Sequence, residues 1–140
     1  MSSVTSGNGS ARDHFIRTVG GFIDALKYKF RNDPSALERV TAADRRFQMV
    51  VVNVSEKMKD AVARKFVLQF DNEMSPLYAR IMSGDETFVR DIRNKMFHDM
   101  GFDTLFAQSA AKTRAVMVRH IQAICTSALG YLALCRDVVE

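Results

Sequence analysis

Residues 14–30, HFIRTVGGFIDALKYKF, decide the fold. Phe15, Ile16, Val19, Phe22, Ile23, Leu26 and Phe30 fall at i, i+1, i+4, i+7, i+8, i+11 and i+15, so all seven share one side of a helix. Gly20 and Gly21 cost such a helix roughly 1 kcal/mol each relative to Ala, so they are expected to admit a close neighbour or to mark a bend. Upstream, MSSVTSGNGS has no apolar periodicity and is rich in small polar residues, which predicts a flexible N-terminal arm at 1–10 and a helix starting near Ala11.

Downstream the same period continues between clear stop signals. Asn32-Asp33-Pro34 ends the first helix, because a residue before proline is pushed out of the α region, and Pro34 then suits the first turn of a second helix capped by Asp33. Leu37, Val40, Phe47, Val50, Val51 and Val54 repeat at helical spacings, but Met49 to Val52 is apolar and mostly β-branched and also fits a short buried strand. Helix is favoured, since no other strand-like segment exists to pair with it. Asn53 and Glu56 have capping-box spacing and open a third helix, with Met58, Val62, Phe66 and Phe70 at every fourth position, ending near Met74.

Ser75-Pro76 restarts the chain, Leu77, Tyr78, Ile81 and Met82 form a short apolar face, and Gly84 sits where a helix C-cap needs positive φ. Phe88, Val89, Ile92, Met96 and Phe97 then predict one helix, begun by Ser83 or Asp85 and stopped at Gly101. Asp103 or Thr104 is expected to cap a last, central helix, whose stripe runs from Leu105 and Phe106 through Ile121, Ile124 and Ala128 to Cys135. The expected architecture is all-α: one compact bundle of five or six helices with a long C-terminal helix, occupying residues 11–140.

Composition agrees with one globular domain. The chain has 140 residues, 47% hydrophobic and 26% charged, which disfavours wholesale disorder, collagen and a disulfide scaffold. The longest uncharged run, Ile121 to Cys135, is short of the roughly 20 residues that span a bilayer, so it is expected to be buried core and membrane association is not expected. Cys125 and Cys135 lie ten residues apart in that helix, about 15 Å along its axis, too far to bridge. With no apolar signal segment at the start, a reducing intracellular compartment is the expectation.

The sequence holds few catalytic signals. His14, His98 and His120 are solitary, and neither H-E-x-x-H nor C-x-x-C occurs, so no metal site or other cofactor is expected. A nucleophile elbow and a phosphate-cradling glycine loop are also missing from the sequence. The acidic groups Asp71 and Glu73, and Asp85, Glu86 and Asp91, are better explained as helix-end residues than as magnesium ligands or an acid/base pair. An enzymatic role would need two of His98, Asp71, Asp85 and Cys125 to meet in a pocket.

The net charge of +4 favours weak attraction to polyanions. Lys27, Lys29 and Arg31, then Arg45 and Arg46, then Lys112, Arg114 and Arg119 in an acid-free interval are the candidate nucleic-acid contacts. Eight methionines and ten phenylalanines supply many adaptable apolar contacts, for a core or for helix-mediated interfaces. By elimination, the leading expectation is a non-enzymatic interaction or structural protein, and the alternative is a basic nucleic-acid-binding accessory protein.

The order Phe15, Phe22, Leu26, Phe30 with Asn32-Asp33-Pro34, then Phe66 and Phe70, then Ser75-Pro76-Leu77-Tyr78, Ile81, Gly84-Asp85 and Phe88 resembles small helical proteins of nucleocytoplasmic large DNA viruses. The resemblance covers roughly Asp13 to Arg90 and has no counterpart for the final helix. It implies a virus-encoded protein, such as a minor capsid or other virion component, with capsid proteins or further copies of itself as neighbours. The setting it implies is the host cytoplasm or the particle. It brings no active-site residues with it.

Overall fold

The computed structural model describes the backbone of residues 2–139 and the side chains of residues 9–135. Seven α-helices follow one another: α1 (Ser2–Lys29), α2 (Pro34–Phe47), α3 (Glu56–Met74), α4 (Tyr78–Ser83), α5 (Lys95–Asp99), α6 (Phe102–Ala107) and α7 (Ala111–Val139). A π-helical turn (Gln48–Val52) extends α2, and 3₁₀ turns at Ser75–Leu77 and Glu86–Asp91 precede α4 and follow it. Among the described residues there is no strand, so the fold is an all-α bundle with a long C-terminal helix.

α1 and α7 form the centre and run antiparallel. The Phe15 ring lies 6.3 Å from Tyr131 and the Phe22 ring 5.7 Å from His120, so α7 retreats as α1 advances. Six members of the stripe that predicted α1 are buried, and Ile16 packs against the same core half-exposed. Residues Phe30 to Asp33 turn the chain back, so that α2 lies along α1, and Lys27 Nζ meets Asp44 Oδ2 at 2.9 Å. α3 closes the bundle, placing Phe66 and Phe70 at 5.8 and 6.0 Å from Phe15. The short helices seal the other end: Phe97 and Phe102 each stand 5.7 Å from Phe22 and 5.3 Å from one another. Fully burying such a side chain contributes roughly 1.5–3 kcal/mol.

Local signals set several element ends as expected. Asp33 Oδ1 accepts the Ala36 N–H, with Pro34 in the first turn of α2. Gly84 ends α4 in the left-handed region at φ 79°. The β-branched run at Met49 to Val52 is helical, wound as a π turn in which the Asn53 N–H reaches Gln48 O at 2.7 Å.

Other expectations are corrected. α1 begins at Ser2, ahead of the start expected near Ala11, so residues 2–10 are helical in backbone; Met1 and the side chains before Gly9, within the arm expected at 1–10, lie outside the described residues. Gly20 and Gly21 lie inside continuous α1 and do not mark a tight approach, since a Cβ on Gly20 would meet Phe47 at an ordinary 3.9 Å and one on Gly21 would meet nothing within 4 Å. Asn53 does not cap α3. It closes the π turn, and Ser55, in extended conformation, occupies the cap position without a side-chain bond.

The single helix expected over residues 88–97 is two pieces. Ile92 is extended, and the buried Asn94 accepts the Met96 and Phe97 N–H groups at 3.0 and 3.4 Å, starting a new helix where the old one would have continued. Asparagine competes with the helical ladder in this way wherever its amide finds backbone partners. The last expected helix is divided as well: Asp103 lies in the first turn of α6, after left-handed Gly101, and α7 begins only at Ala111. Seven α-helices therefore stand where five or six were expected, because short capped turns replace continuous helix between residues 86 and 110.

Two substitutions test this description. Phe22→Ala should destabilise the fold by about 3–5 kcal/mol through the cavity left among Phe97, Phe102 and His120, read as a lower urea midpoint at unchanged slope. Gly101→Ala should cost about 1–2 kcal/mol, since Gly101 has φ 62° and a Cβ there would stand 3.0 Å from Arg39 Nε.

Candidate functional site

The candidate carboxylates each have a structural occupation. Asp71 Oδ1 accepts the Tyr78 hydroxyl at 2.8 Å, and Glu73 Oε1 accepts the Asn94 amide at 2.9 Å. Asp85 caps the 3₁₀ turn, and its carboxyl is held below the usual range by the Thr87 hydroxyl and N–H. Glu86 pairs with Arg114 at 3.1 Å and Asp91 with Arg80 at 2.9 Å. His14 and His98 are exposed, whereas His120 is half-buried against Phe22, where burial and then the Arg119 charge lower its pKa. Cys125 is fully buried, and burial, with a smaller contribution from the Asp71 charge, pushes its thiol up to about 12. None of the hollows described below is lined by His98, Asp71, Asp85 or Cys125.

The eight candidate cations differ in what holds them. Lys27 is paired with Asp44, and Arg114 is held by Glu86 and by Ser109 O at 2.8 Å. Arg31 folds onto its own helix end, with its guanidinium 4.1 Å above the Tyr28 ring and one N–H on Tyr28 O. Lys29, Arg45, Arg46, Lys112 and Arg119 are exposed. Lys29 edges a shallow hollow of about 140 Å³ between α1 and α7, opposite Thr113 and Val116, while Arg46 edges a different one beside α3. A third hollow, beside α6, is edged by Glu86, Arg90 and Arg114.

The hollow beside α3 is mostly apolar inside and polar at its rim. It measures about 210 Å³ and lies between the end of α2 with its π turn, α3 and α5. Phe47, Val51 and Phe70 make a buried floor, and Val50, Phe66 and Met96 make the walls. The rim is polar: Arg46, Gln69, and Lys95 paired with Asp99 at 3.1 Å. Asn94, also in the lining, has its amide satisfied by Glu73 and its oxygen by two backbone N–H groups, so the groove walls leave no hydrogen-bonding demand there.

The sequence builds this groove from surplus apolar surface. In α3, Met58, Val62, Phe66 and Phe70 form one stripe by spacing, yet exposure falls along it from 52% at Met58, through half-buried Val62 and Phe66, to 0% at Phe70. The core stripe is instead Ala63, Val67, Phe70 and Met74. The π turn adds a further outward pair, because it takes more residues per turn than an α-helix and sends Val51 inward while leaving Met49 at 74% and Val50 at 53% exposure. Sequence reasoning missed Val50 and Met96 as site residues; the available signal was a Met and β-branched run longer than one helix face can bury.

No family model, curated protein or solved structure matches this chain. Among the described residues no helix is long and apolar enough to cross a membrane, and no three His, Cys, Asp or Glu side chains converge as a metal site.

Burial of Cys125 has a measurable consequence. In a Cys135→Ser background, the Cys125 thiol should be silent to a maleimide in the native protein at about pH 8 and should react fully in denaturant. Its folded pKa is raised from 9.0 to about 12, so the stability it contributes is complete below about pH 9 and should be lost as pH rises from there toward 12, a loss that Cys125→Ala removes.

Proposed function

We propose that this chain is a non-enzymatic helical interaction protein whose groove between α2, α3 and α5 holds a protein neighbour. One observation carries the proposal: a concave, polar-rimmed site keeps an apolar floor and apolar walls open to solvent, with Val50, Phe66 and Met96 in its walls and Met49 and Met58 exposed on the bordering elements. Helix-lined grooves with an apolar floor are a common docking mode for partner segments. Methionine suits the task, because its flexible, polarisable side chain adapts to different contacts. The engaged state of Asp71, Asp85, Glu86 and Asp91 supports a binding role over a hydrolytic one.

In the setting that the viral resemblance implies, the neighbours are capsid proteins or further copies of this chain, and the protein is a minor component of a virion. The nucleic-acid alternative rests on Lys27, Lys29, Arg31, Arg45, Arg46, Lys112, Arg114 and Arg119, of which Lys27 and Arg114 are engaged by carboxylates.

A photo-crosslinking residue at Val50 should capture protein in extract from the native source, whereas the same residue at Met82, exposed on α4, should not. Val50→Asp should change stability by less than about 0.5 kcal/mol, as an exposed substitution, and reduce the captured partner by about tenfold. Retention on polynucleotide that is steeply lost between about 50 and 200 mM salt, with no protein captured at Val50, would instead establish the alternative.

A further inference from the structure

The groove's size and charge together restrict what it accepts. At about 210 Å³ it falls below the roughly 300–1,000 Å³ typical of sites that enclose a small-molecule ligand, and it suits one or two side chains projecting from a larger partner. Its floor is aromatic and aliphatic, and its internal polar group, Asn94, is already satisfied, so an entering side chain must be apolar to gain from burial.

The rim adds a sign. Lys95 is neutralised by Asp99, but Arg46 has no carboxylate within ion-pairing distance among the described residues, and neither has the adjacent Arg45. Both are exposed in the last turn of α2, and Arg46 lines the opening. Resting on the protein-docking reading above, we infer that the groove binds an amphipathic helix whose apolar face carries Leu, Met or Phe and whose flank carries Asp or Glu facing Arg46. A bidentate guanidinium–carboxylate pair at the rim fixes orientation, while the apolar side chains supply most of the affinity. A segment with a basic flank meets Arg46 as a like charge and is rejected.

The methionines report the outcome directly. In full-length protein with ¹³C-methyl methionine, Met96 lines the groove, Met49 and Met58 lie on the elements that border it, and exposed Met82 on α4 is an outside control. The probes are two synthetic helical peptides of about four turns with the same Leu/Phe face, one flanked by Glu and the other by Lys, and a single-stranded DNA oligonucleotide.

The Glu peptide should move the Met96 and Met49 resonances with Met82 unmoved, and should bind about tenfold more tightly than the Lys peptide. Arg46→Gln should abolish that preference, and Arg46→Glu should invert it. Equal binding of both peptides at Met96 overturns the acidic-partner inference and leaves protein docking standing. No movement of Met96 with either peptide overturns both. Movement with the oligonucleotide alone, or on concentrating the protein alone, overturns the inference in favour of nucleic acid or of a second copy of the chain.

Discussion

The antiparallel seam between α1 and α7 is the contact on which the other elements depend. Phe15 and Phe22, two turns apart on α1, each meet α7 and then a second layer: Phe15 meets Phe66 and Phe70 of α3, and Phe22 meets Phe97 and Phe102 of the short helices. An isolated helix gains little from propensity alone, so these shared faces hold the molecule together. The five-residue α5 and six-residue α6 are too short to persist without the aromatic contacts that they make across the end of the seam.

The long elements were legible in the sequence because their side chains and their backbones ask for the same thing. The seven-residue stripe of α1, the Asp33-Pro34 restart and the glycine end at Gly84 each combine a periodic apolar face with a local stop signal. Residues 86–110 were not legible in the same way. Phe88, Val89, Ile92, Met96 and Phe97 keep helical spacing, but several short turns deliver them to one core as well as a continuous helix does. The choice between the two lies with Asn94 and Gly101, whose local hydrogen bonds and left-handed backbone carry no periodic signature.

The groove was hidden for a related reason. Periodicity tells which residues of α3 share a face and does not tell how deep that face lies, so Met58, Val62, Phe66 and Phe70 read as core although only Phe70 is fully buried. The candidate cations were visible as charges, but their availability was not. Asp44 and Glu86, which occupy Lys27 and Arg114, lie 17 and 28 residues away along the chain. Burial deep enough to silence Cys125 was, by contrast, expected from its apolar helix alone.

The widened turn at Gln48–Val52 shapes the wall of the groove from a segment anchored in the core only by Val51 and, in part, Val52. Removing one residue would let the segment rewind as ordinary α-helix, which turns each following side chain by about 100° about the axis. Gene-level changes of a single codon at this point can therefore retune the recognition surface, or erase it, and the anchoring of Val51 limits which of them the fold tolerates.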